Sequence, residues 1–179
     1  MAYNSTDWTT DALTKAGSSG TNTVGGVTLY AYFGVNESVQ NFSTNTHYAI
    51  PFQPAPAIGS AQMDIDIGTG TDPDTSFTTA NTDTQYSAQI SSTIWYVPDN
   101  ITIDSVTSIQ GSDNDTADTT RMHLMSYDYT TNSTSTLTNG TVLASSADVE
   151  VENTKTQLTE WSIGTSSVSS GKAIIATFR

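Results

Sequence analysis

Short runs of β-branched and aromatic residues recur along this chain, and turn-forming residues separate them. Val27–Phe33 is one such run, Ala61–Ile67 alternates apolar with polar residues, and Lys172–Phe178 is another run near the end. Runs of this length and composition are typical of β-strands. The best helix candidate, Ala144–Glu152, is short and alternates about as well as it follows a helical period. We therefore expect about eight or nine strands and little helix.

Two polar stretches are the clearest turn signals. Asn139-Gly140 has the composition of a tight hairpin turn and is predicted to join two strands. The stretch 111–118 is polar and lies between the predicted strands Ile101–Gln110 and Thr120–Tyr129. It is therefore predicted to be the tip of a second hairpin.

Strands at this spacing, separated by Ser, Thr, Asn, Asp and Gly turns, indicate an all-β chain. The predicted architecture is an antiparallel β-sandwich of jelly-roll type, with barrel closure as the alternative. Residues 1–26 differ, because they are rich in Ser, Thr, Gly and Asn and end in Gly25-Gly26, a composition typical of an extended arm or linker. Trp8 lies in this arm, which is either a disordered leader or a segment that docks on a neighbour. We expect an arm over 1–26 and a β-sandwich domain over 27–179.

The chain is strongly acidic, with 18 Asp and Glu, 5 Lys and Arg, and a formal net charge of -13. A nucleic acid is a polyanion and would be repelled, so we expect no nucleic-acid partner. The sequence has no cysteine, which excludes disulfides, thiolate metal sites and cysteine nucleophiles. No stretch approaches the roughly 18 apolar residues of a membrane span, and the first residues lack a signal-peptide pattern. We therefore expect neither a membrane partner nor a leader.

Residue types that carry chemistry do not form a recognisable constellation. His47 and His123 have no zinc-ligand spacing, and His123 lies in an apolar strand, where a single histidine is usually a packed or surface side chain. No serine lies in a Gly-x-Ser-x-Gly motif, and the glycines form no phosphate-binding loop. The sequence predicts no catalytic residue, no cofactor site and no metal site, and hence a protein that is not an enzyme.

Aspartates cluster in three places that could attract a cation: 113–118, 72–74 and 64–66. Calcium prefers such oxygen ligands, but the first cluster lacks the glycine and the closing glutamate of an EF-hand loop. Asp64 and Asp66 alternate with apolar residues and are predicted to face solvent. A solvated role is favoured for 113–118 and for 64–66, and a calcium-dependent adhesin is kept as a third hypothesis.

Four stretches resemble a group of virion structural proteins from marine tailed bacteriophages. They are Ile94–Val106, Met122–Tyr127, Leu143–Asp148 and Gly171–Phe178. The resemblance implies a β-sandwich on the virion exterior, either a head decoration protein or a fibre or appendage component, often associating as trimers. No catalytic residues come with it. Such proteins continue into another strand, so we expect one edge of Lys172–Phe178 to be unpaired and filled by a neighbouring subunit.

The function expected from these observations is that of a non-catalytic phage virion protein. Its expected partners are other copies of itself, as a homotrimer, and the major capsid protein or other virion proteins, with a host-surface glycan as an additional ligand. The alternative is a carbohydrate-binding or receptor-binding β-sandwich module. Exposed aromatic side chains on one face would mark that alternative, and Trp95 and Trp161 are the residues to inspect.

Overall fold

The structure is a computed structural model that describes residues 28–31, 43–52, 65–78, 93–111, 118–129 and 136–179. The chain divides into two compact units, Met1–Tyr30 and Ala31–Arg179. Since the first unit has only residues 28–30 described, the fold given below is that of the second. The predicted arm, 1–26, lies outside the described residues. Residues 28–31 of the predicted strand Val27–Phe33 are exposed and have no regular secondary structure.

The described part of the second unit is mostly strand with almost no helix, which confirms the all-β prediction. The strands are short, and all of their pairings are antiparallel. In chain order they are β1 (Thr46–Ile50), β2 (Asp66–Thr69), β3 (Phe77–Thr78), β4 (Trp95–Tyr96), β5 (Ile101–Thr102), β6 (Thr107–Gly111), β7 (Asp118–Thr120), β8 (Met122–Asp128), β9 (Thr136–Ser145), β10 (Val149–Val151), β11 (Thr156–Glu160), β12 (Ser162–Ile163), β13 (Ser167–Val168) and β14 (Lys172–Phe178). No helix of the described residues is long and apolar enough to span a membrane.

The main sheet is built around β14. Its strand order is β12-β9-β8-β14-β1-β2, with β3 also paired to β9 and β4 also paired to β14. On one side β14 pairs with β8 from Lys172 to Phe178, and on the other side it pairs with β1 and β4. The five residues 173–177 are all buried. The expectation of an unpaired edge at Lys172–Phe178 is therefore wrong, because both edges of this strand are already occupied within the chain.

Apolar residues cover both faces of β14. Ala173 and Ile175 belong to one buried cluster, whereas Ile174 belongs to another, as expected from the alternation of side chains along a strand. The first cluster also contains Ala49, Ile65, Ile67, Met125, Tyr127 and Leu137. The second also contains Val97, Leu143 and Val168. A strand that is buried on both faces needs a layer of structure on each side, which explains why Lys172–Phe178 reads as a nearly continuous apolar run.

The strand pairs between β4 and β14 are nested inside one another. The innermost pair is β8 with β9, followed outward by β7 with β10, β6 with β11, β5 with β13 and finally β4 with β14. The chain between β4 and β14 is therefore folded back on itself as one long antiparallel ribbon. This ribbon contradicts the hairpin predicted at 111–118, because β6 and β7 pair with β11 and β10 rather than with each other.

Asn139-Gly140 lies inside β9 and is not the predicted hairpin turn. The register between β8 and β9 shifts between Ser126 and Asp128, and Asn139 has a φ of 53°. This is a β-bulge, in which one extra residue in β9 adopts the left-handed conformation that asparagine tolerates. The same dipeptide composition serves a hairpin turn and a bulge, because both require a residue with positive φ.

Gly140 allows the chain at Thr75 to approach β9. Its amide donates a hydrogen bond of 2.7 Å to the Thr75 carbonyl oxygen. A Cβ atom at this position would lie 2.8 Å from Thr75 Cα and 2.6 Å from Tyr127 Cε1. The first of these atoms is backbone and the second belongs to a fully buried ring, so neither can move aside easily.

We therefore expect Gly140→Ala to destabilise the protein by about 1 to 3 kcal/mol, the usual cost of overpacking. Urea unfolding followed by tryptophan fluorescence measures this free energy. Gly164→Ala is the control, because the nearest atoms to the corresponding Cβ position are the Leu143 and Val142 carbonyl oxygens, 3.9 Å away, and we expect it to change stability by less than about 1 kcal/mol. A Gly140→Ala variant as stable as the wild type would show that the close approach at Thr75 is not maintained in solution.

Candidate functional site

The two histidines of the chain lie on the same face of the main sheet. His123 in β8 is directly opposite Thr177 in β14, and Thr177 is directly opposite Ala49 in β1. His47 lies two residues before Ala49 and therefore points to the same side of the sheet. The rings of His47 and His123 have their centroids 5.0 Å apart at an interplanar angle of 75°. Three adjacent strands thus bring together two residues that are far apart in the sequence.

Both imidazole rings are completely buried, at 0% exposure. His47 Nε2 lies 3.0 Å from the Gly70 carbonyl oxygen. Because a carbonyl oxygen can only accept, His47 must carry its proton on Nε2 and donate it to Gly70. Asp72 Oδ1 lies 3.4 Å from His123 Nε2 but does not form a hydrogen bond with it. The loop from Gly70 to Asp72 therefore contacts both rings.

Several buried polar atoms around the two rings have no hydrogen-bond partner within the described part of the chain. They are Nδ1 of His47, Nδ1 and Nε2 of His123, Nε of Arg121 and Oγ1 of Thr177. A buried polar atom that is left without a hydrogen bond costs about 1 to 3 kcal/mol of stability. We call this group the histidine cluster: His47, His123, Thr177, Arg121, Arg179 and Asp72. Within the part of the main sheet that the structure describes, these side chains carry buried polar atoms without a partner, which makes the cluster the candidate functional site.

Positive charge borders the histidine cluster. The backbones of Arg121 and Arg179 are joined by two hydrogen bonds of 3.0 and 2.8 Å, which extend the pairing of β8 with β14. Asp148 Oδ1 lies 3.7 Å from Arg121 Nη1 and 3.9 Å from Arg179 Nη2. Arg179 also donates to the Gly70 carbonyl oxygen at 2.6 Å. Both guanidinium groups are thus held beside the histidines by the backbone pairing and by one shared carboxylate.

The environment keeps both histidines neutral near pH 7. Burial, together with the neighbouring His47 ring and Arg121, lowers the pKa of His123 to about 4, whereas Asp72 acts in the opposite direction. Burial also lowers the pKa of His47, with Arg179 adding to the effect, while the Gly70 carbonyl and the Asp72 and Asp74 carboxylates oppose it. Because both rings are buried, protonating either of them would place a charge inside the sheet. The stability of the cluster therefore depends on its protonation state.

The loop between β2 and β3 connects the histidine cluster to the apolar core. Gly70 and Asp72 contact the histidines, and the Asp74 amide donates to the Ile67 carbonyl oxygen at 2.9 Å. At the far end of this loop, Tyr127 donates its hydroxyl proton to the Asp74 carbonyl oxygen at 2.8 Å. The position of the loop beside the histidines therefore depends on a buried tyrosine in β8.

The three predicted carboxylate clusters are only partly covered by the described residues. Asp113, Asp115 and Asp64 lie outside the described residues. Asp66 accepts a hydrogen bond of 2.7 Å from the Gly68 amide, and the Asp72 side chain, 61% exposed, lies beside His123. Within the residues that the structure describes, no three His, Asp or Glu side chains are placed to share a metal ion.

The two tryptophans to inspect for the carbohydrate-binding alternative do not form an exposed pair. Trp161 is buried at 8% exposure and donates its indole proton to Ser108 Oγ at 2.9 Å, while Trp95 is partly buried against the second apolar cluster. A shallow depression of about 290 Å³ lies between β5 and β13, where it is lined by Asn100, Ile101, Thr102, Ser167, Val168 and Ser169. None of these side chains is ionisable, so the depression offers hydroxyl and amide groups but no acid or base.

A comparison with protein-family models, curated proteins and solved structures finds no match to this chain. The sequence contains no signal that would have paired His47 with His123, because their proximity depends on the order of β1, β14 and β8 in the sheet. Of the packed and surface positions that the sequence leaves open for His123, the structure shows the packed one, in β8.

Proposed function

We propose that this chain is a non-catalytic structural protein of a phage virion, located on the particle exterior as a capsid decoration or surface fibre component. In this proposal the strands of the second unit form a jelly-roll β-sandwich, and residues 1–26 form the arm that attaches it to the major capsid protein or another virion protein. Copies of the chain also associate with one another. The resemblance of four sequence stretches to marine tailed-phage virion proteins suggests this assignment.

The nested pairing from β4 with β14 to β8 with β9 is the observation that carries the proposal. A jelly roll is a long antiparallel ribbon that is wound into two sheets, and viral capsid domains use this fold repeatedly. A two-sheet sandwich needs one apolar face on each sheet, and the apolar clusters beside β14 supply such a face on the main sheet. Fold alone does not determine function, so the proposal also rests on which side chains are buried and on the net charge of the chain.

Burial of both histidines supports a structural role. Histidine is the commonest general acid or base in enzymes, and here His47 and His123 are enclosed within the sheet. The net charge of -13 supports a role at high copy number, since a strongly acidic surface keeps closely spaced proteins soluble. A sugar-binding module is less well supported, because Trp161 is buried and tied to Ser108.

Binding to virus particles tests the proposal directly. Particles from the phage that encodes the chain, stripped of their surface proteins, would be incubated with labelled full-length chain and pelleted. We expect saturable co-sedimentation of the full-length chain, and at least a tenfold weaker association after deletion of residues 1–26. Trp8→Ala in the full-length chain provides a version of the test that leaves every other residue in place.

Thermal unfolding of each variant provides the control, since the strands of the second unit should melt at the wild-type temperature. A full-length chain that does not bind particles at all would overturn the proposed function. Undiminished binding after deletion of residues 1–26 would overturn only the role of the arm. Hydrolysis of a polysaccharide or peptide by the purified chain would contradict the non-catalytic assignment.

A further inference from the structure

Asn139-Gly140 combines a chemically labile sequence with an exposed position. It is the only Asn-Gly pair in the sequence. In such a pair the glycine nitrogen can approach the side-chain Cγ of the asparagine, because glycine has no side chain to block the approach. Asn139 is exposed in β9 and has a φ of 53°. Water and base therefore reach the side chain of a sequence that is prone to deamidation.

Deamidation of this pair consumes only water. The Gly140 nitrogen loses its proton and bonds to Asn139 Cγ, and the bond between Cγ and Nδ2 breaks to release ammonia. Water then opens the resulting cyclic imide at either of its C–N bonds to the Gly140 nitrogen. One route gives aspartate at position 139. The other gives isoaspartate, in which the backbone runs through the side-chain carbon.

Two hydrogen bonds restrain the two reacting groups in the folded chain. The Gly140 amide, which must attack, donates to the Thr75 carbonyl oxygen at 2.7 Å. The Asn139 amide, which must leave, donates from Nδ2 to Asp128 Oδ2 at 2.6 Å. Lys172 Nζ contacts the other oxygen of Asp128, and the Asn139 and Lys172 contacts lower the pKa of that carboxyl. The reaction therefore requires both hydrogen bonds to break.

Tyr127 holds the first of these hydrogen bonds closed. Its hydroxyl group donates to the carbonyl oxygen of Asp74, the residue immediately before Thr75. Its ring lies against Gly140, where an added Cβ would be 2.6 Å from Tyr127 Cε1. The tyrosine thus keeps the Thr75 carbonyl beside the Gly140 amide. Detachment of residues 74–75 from β9 is the local opening that frees the Gly140 nitrogen.

We propose that Asn139 is a deamidation site whose reaction is gated by the detachment of Thr75 from Gly140 and of Asn139 from Asp128. The inference is independent of the virion assignment, since every contact that it uses lies within the second unit. Either product removes the amide donor and places a second carboxylate beside Asp128, which weakens the pairing of β8 with β9. The chain thereby acquires a slow, irreversible change in the innermost strand pair of the ribbon.

Peptide mapping by mass spectrometry, after incubation of the full-length chain at pH 8, measures the reaction. We expect Asn139 to react more slowly in the folded wild type than in the same chain unfolded in urea, by about tenfold or more, because only the opened fraction reacts. Tyr127→Phe should speed the reaction of the folded chain by about threefold to tenfold, the effect of one lost hydrogen bond on the opening equilibrium. Tyr129→Phe is the matched control, since it makes the same change in an exposed side chain, and it should leave the rate unchanged.

The second hydrogen bond is tested with a matched pair of variants. Asp128→Ala removes the acceptor of the Asn139 amide and the partner of Lys172, whereas Lys172→Ala removes only the ion pair. We expect Asp128→Ala to speed the reaction by about threefold or more. Lys172→Ala should change the rate by less than about twofold, because a partly exposed ion pair contributes little stability. Equal rates in the two variants would exclude a role for the contact between Asn139 and Asp128.

Asn139→Asp reproduces the aspartate product in every molecule. We expect its melting temperature to lie about 3 °C below that of the wild type, because the hydrogen bond to Asp128 is lost and two carboxylates are brought together. The shift should be smaller in an Asp128→Ala background, where no facing carboxylate remains. Calorimetry of the four chains measures both shifts, and an equal shift in the two backgrounds would contradict the proposed repulsion.

Three outcomes of the incubation would overturn the inference. One is an Asn139 that stays intact in the urea-unfolded chain, since the pair would then not be labile. Another is an equal rate in the folded and unfolded chains, which would show that the fold does not gate the reaction. The third is a rate unchanged by both Tyr127→Phe and Asp128→Ala. None of these outcomes bears on particle binding, so the proposed function is tested separately.

Discussion

Replacing Tyr127 with alanine should lower the free energy of unfolding by about 4 kcal/mol. Tyr127 is fully buried within the first apolar cluster, where an aromatic-to-alanine change removes apolar contacts and leaves a cavity. Its hydroxyl group adds a hydrogen bond of 2.8 Å to the Asp74 carbonyl oxygen. Burial raises the pKa of this hydroxyl above its usual range, so the donor proton is retained at neutral pH.

Tyr127→Phe separates the two contributions. It keeps the ring and removes only the hydroxyl group, so we expect a loss of about 1 kcal/mol. Urea unfolding at pH 7.5 measures both variants. The loss of the hydrogen bond should also loosen the segment from Gly70 to Asp74, which hydrogen exchange at the Asp74 amide would detect, because this amide donates to the Ile67 carbonyl.

Equal losses for Tyr127→Phe and Tyr127→Ala would mean that the hydroxyl contact rather than ring packing dominates. A small loss for Tyr127→Ala would contradict the packing of the first cluster. The exposed Tyr129, at 42%, serves as a control in the same stretch of chain, and its replacement by alanine should change the free energy of unfolding by less than about 0.5 kcal/mol.

Acidification should destabilise the protein through the histidine cluster. The pKa of His123 is lowered from 6.5 to about 4 in the folded chain. Above pH 6.5 the His123 ring is neutral in both the folded and the unfolded chain, so its contribution to the free energy of unfolding does not change with pH. Below pH 6.5 His123 is protonated in the unfolded chain but stays neutral in the folded chain. The free energy of unfolding therefore falls with falling pH until the folded-state pKa is reached. Between pH 7.5 and pH 4.5 this single group should cost about 2.5 kcal/mol.

The pH dependence of His123→Met isolates this effect. Methionine is similar in size and does not titrate, so urea unfolding between pH 4.5 and 7.5 should give a markedly flatter curve than the wild type. His47 remains and also has a lowered pKa, so some dependence on pH should persist. Asp72→Asn should steepen the loss toward low pH, because the Asp72 carboxylate raises the pKa of His123. Identical slopes for wild type and His123→Met would exclude the cluster as the origin of acid sensitivity.

The sequence predicted individual strands better than their partners. Lys172–Phe178 was predicted from its apolar composition, and β14 has these bounds because burial on both faces favours β-branched and apolar residues. The prediction of a hairpin at 111–118 is wrong, because local composition identifies a break between strands but not the distant strand with which each one pairs. Asn139-Gly140 was also misassigned, since a positive φ is required both in a tight turn and in the bulge of β9.

The candidate site was beyond local sequence reasoning for the same reason. His47 and His123 each belong to an apolar strand. A single histidine in such a strand gives no sequence motif that indicates which residue its ring will contact. Only the order β1-β14-β8 brings the two rings within 5.0 Å of each other. The outward position of Ile109 in β6 and Leu158 in β11, with exposures of 76% and 75%, was equally hidden, because an alternating strand gives the same periodicity whichever of its two faces is buried.

The nested ribbon also has a consequence for how the chain can reach its fold. Pairings such as Ile174 with Trp95 join residues far apart in the sequence, and closing such a loop in one step carries a large entropic cost. Once β8 and β9 have paired, however, β7 and β10 are already neighbours, and each further pair outward needs only a short additional closure. A topology dominated by long-range contacts can thus form through a series of local steps, starting at the centre of the ribbon and ending at β4 and β14.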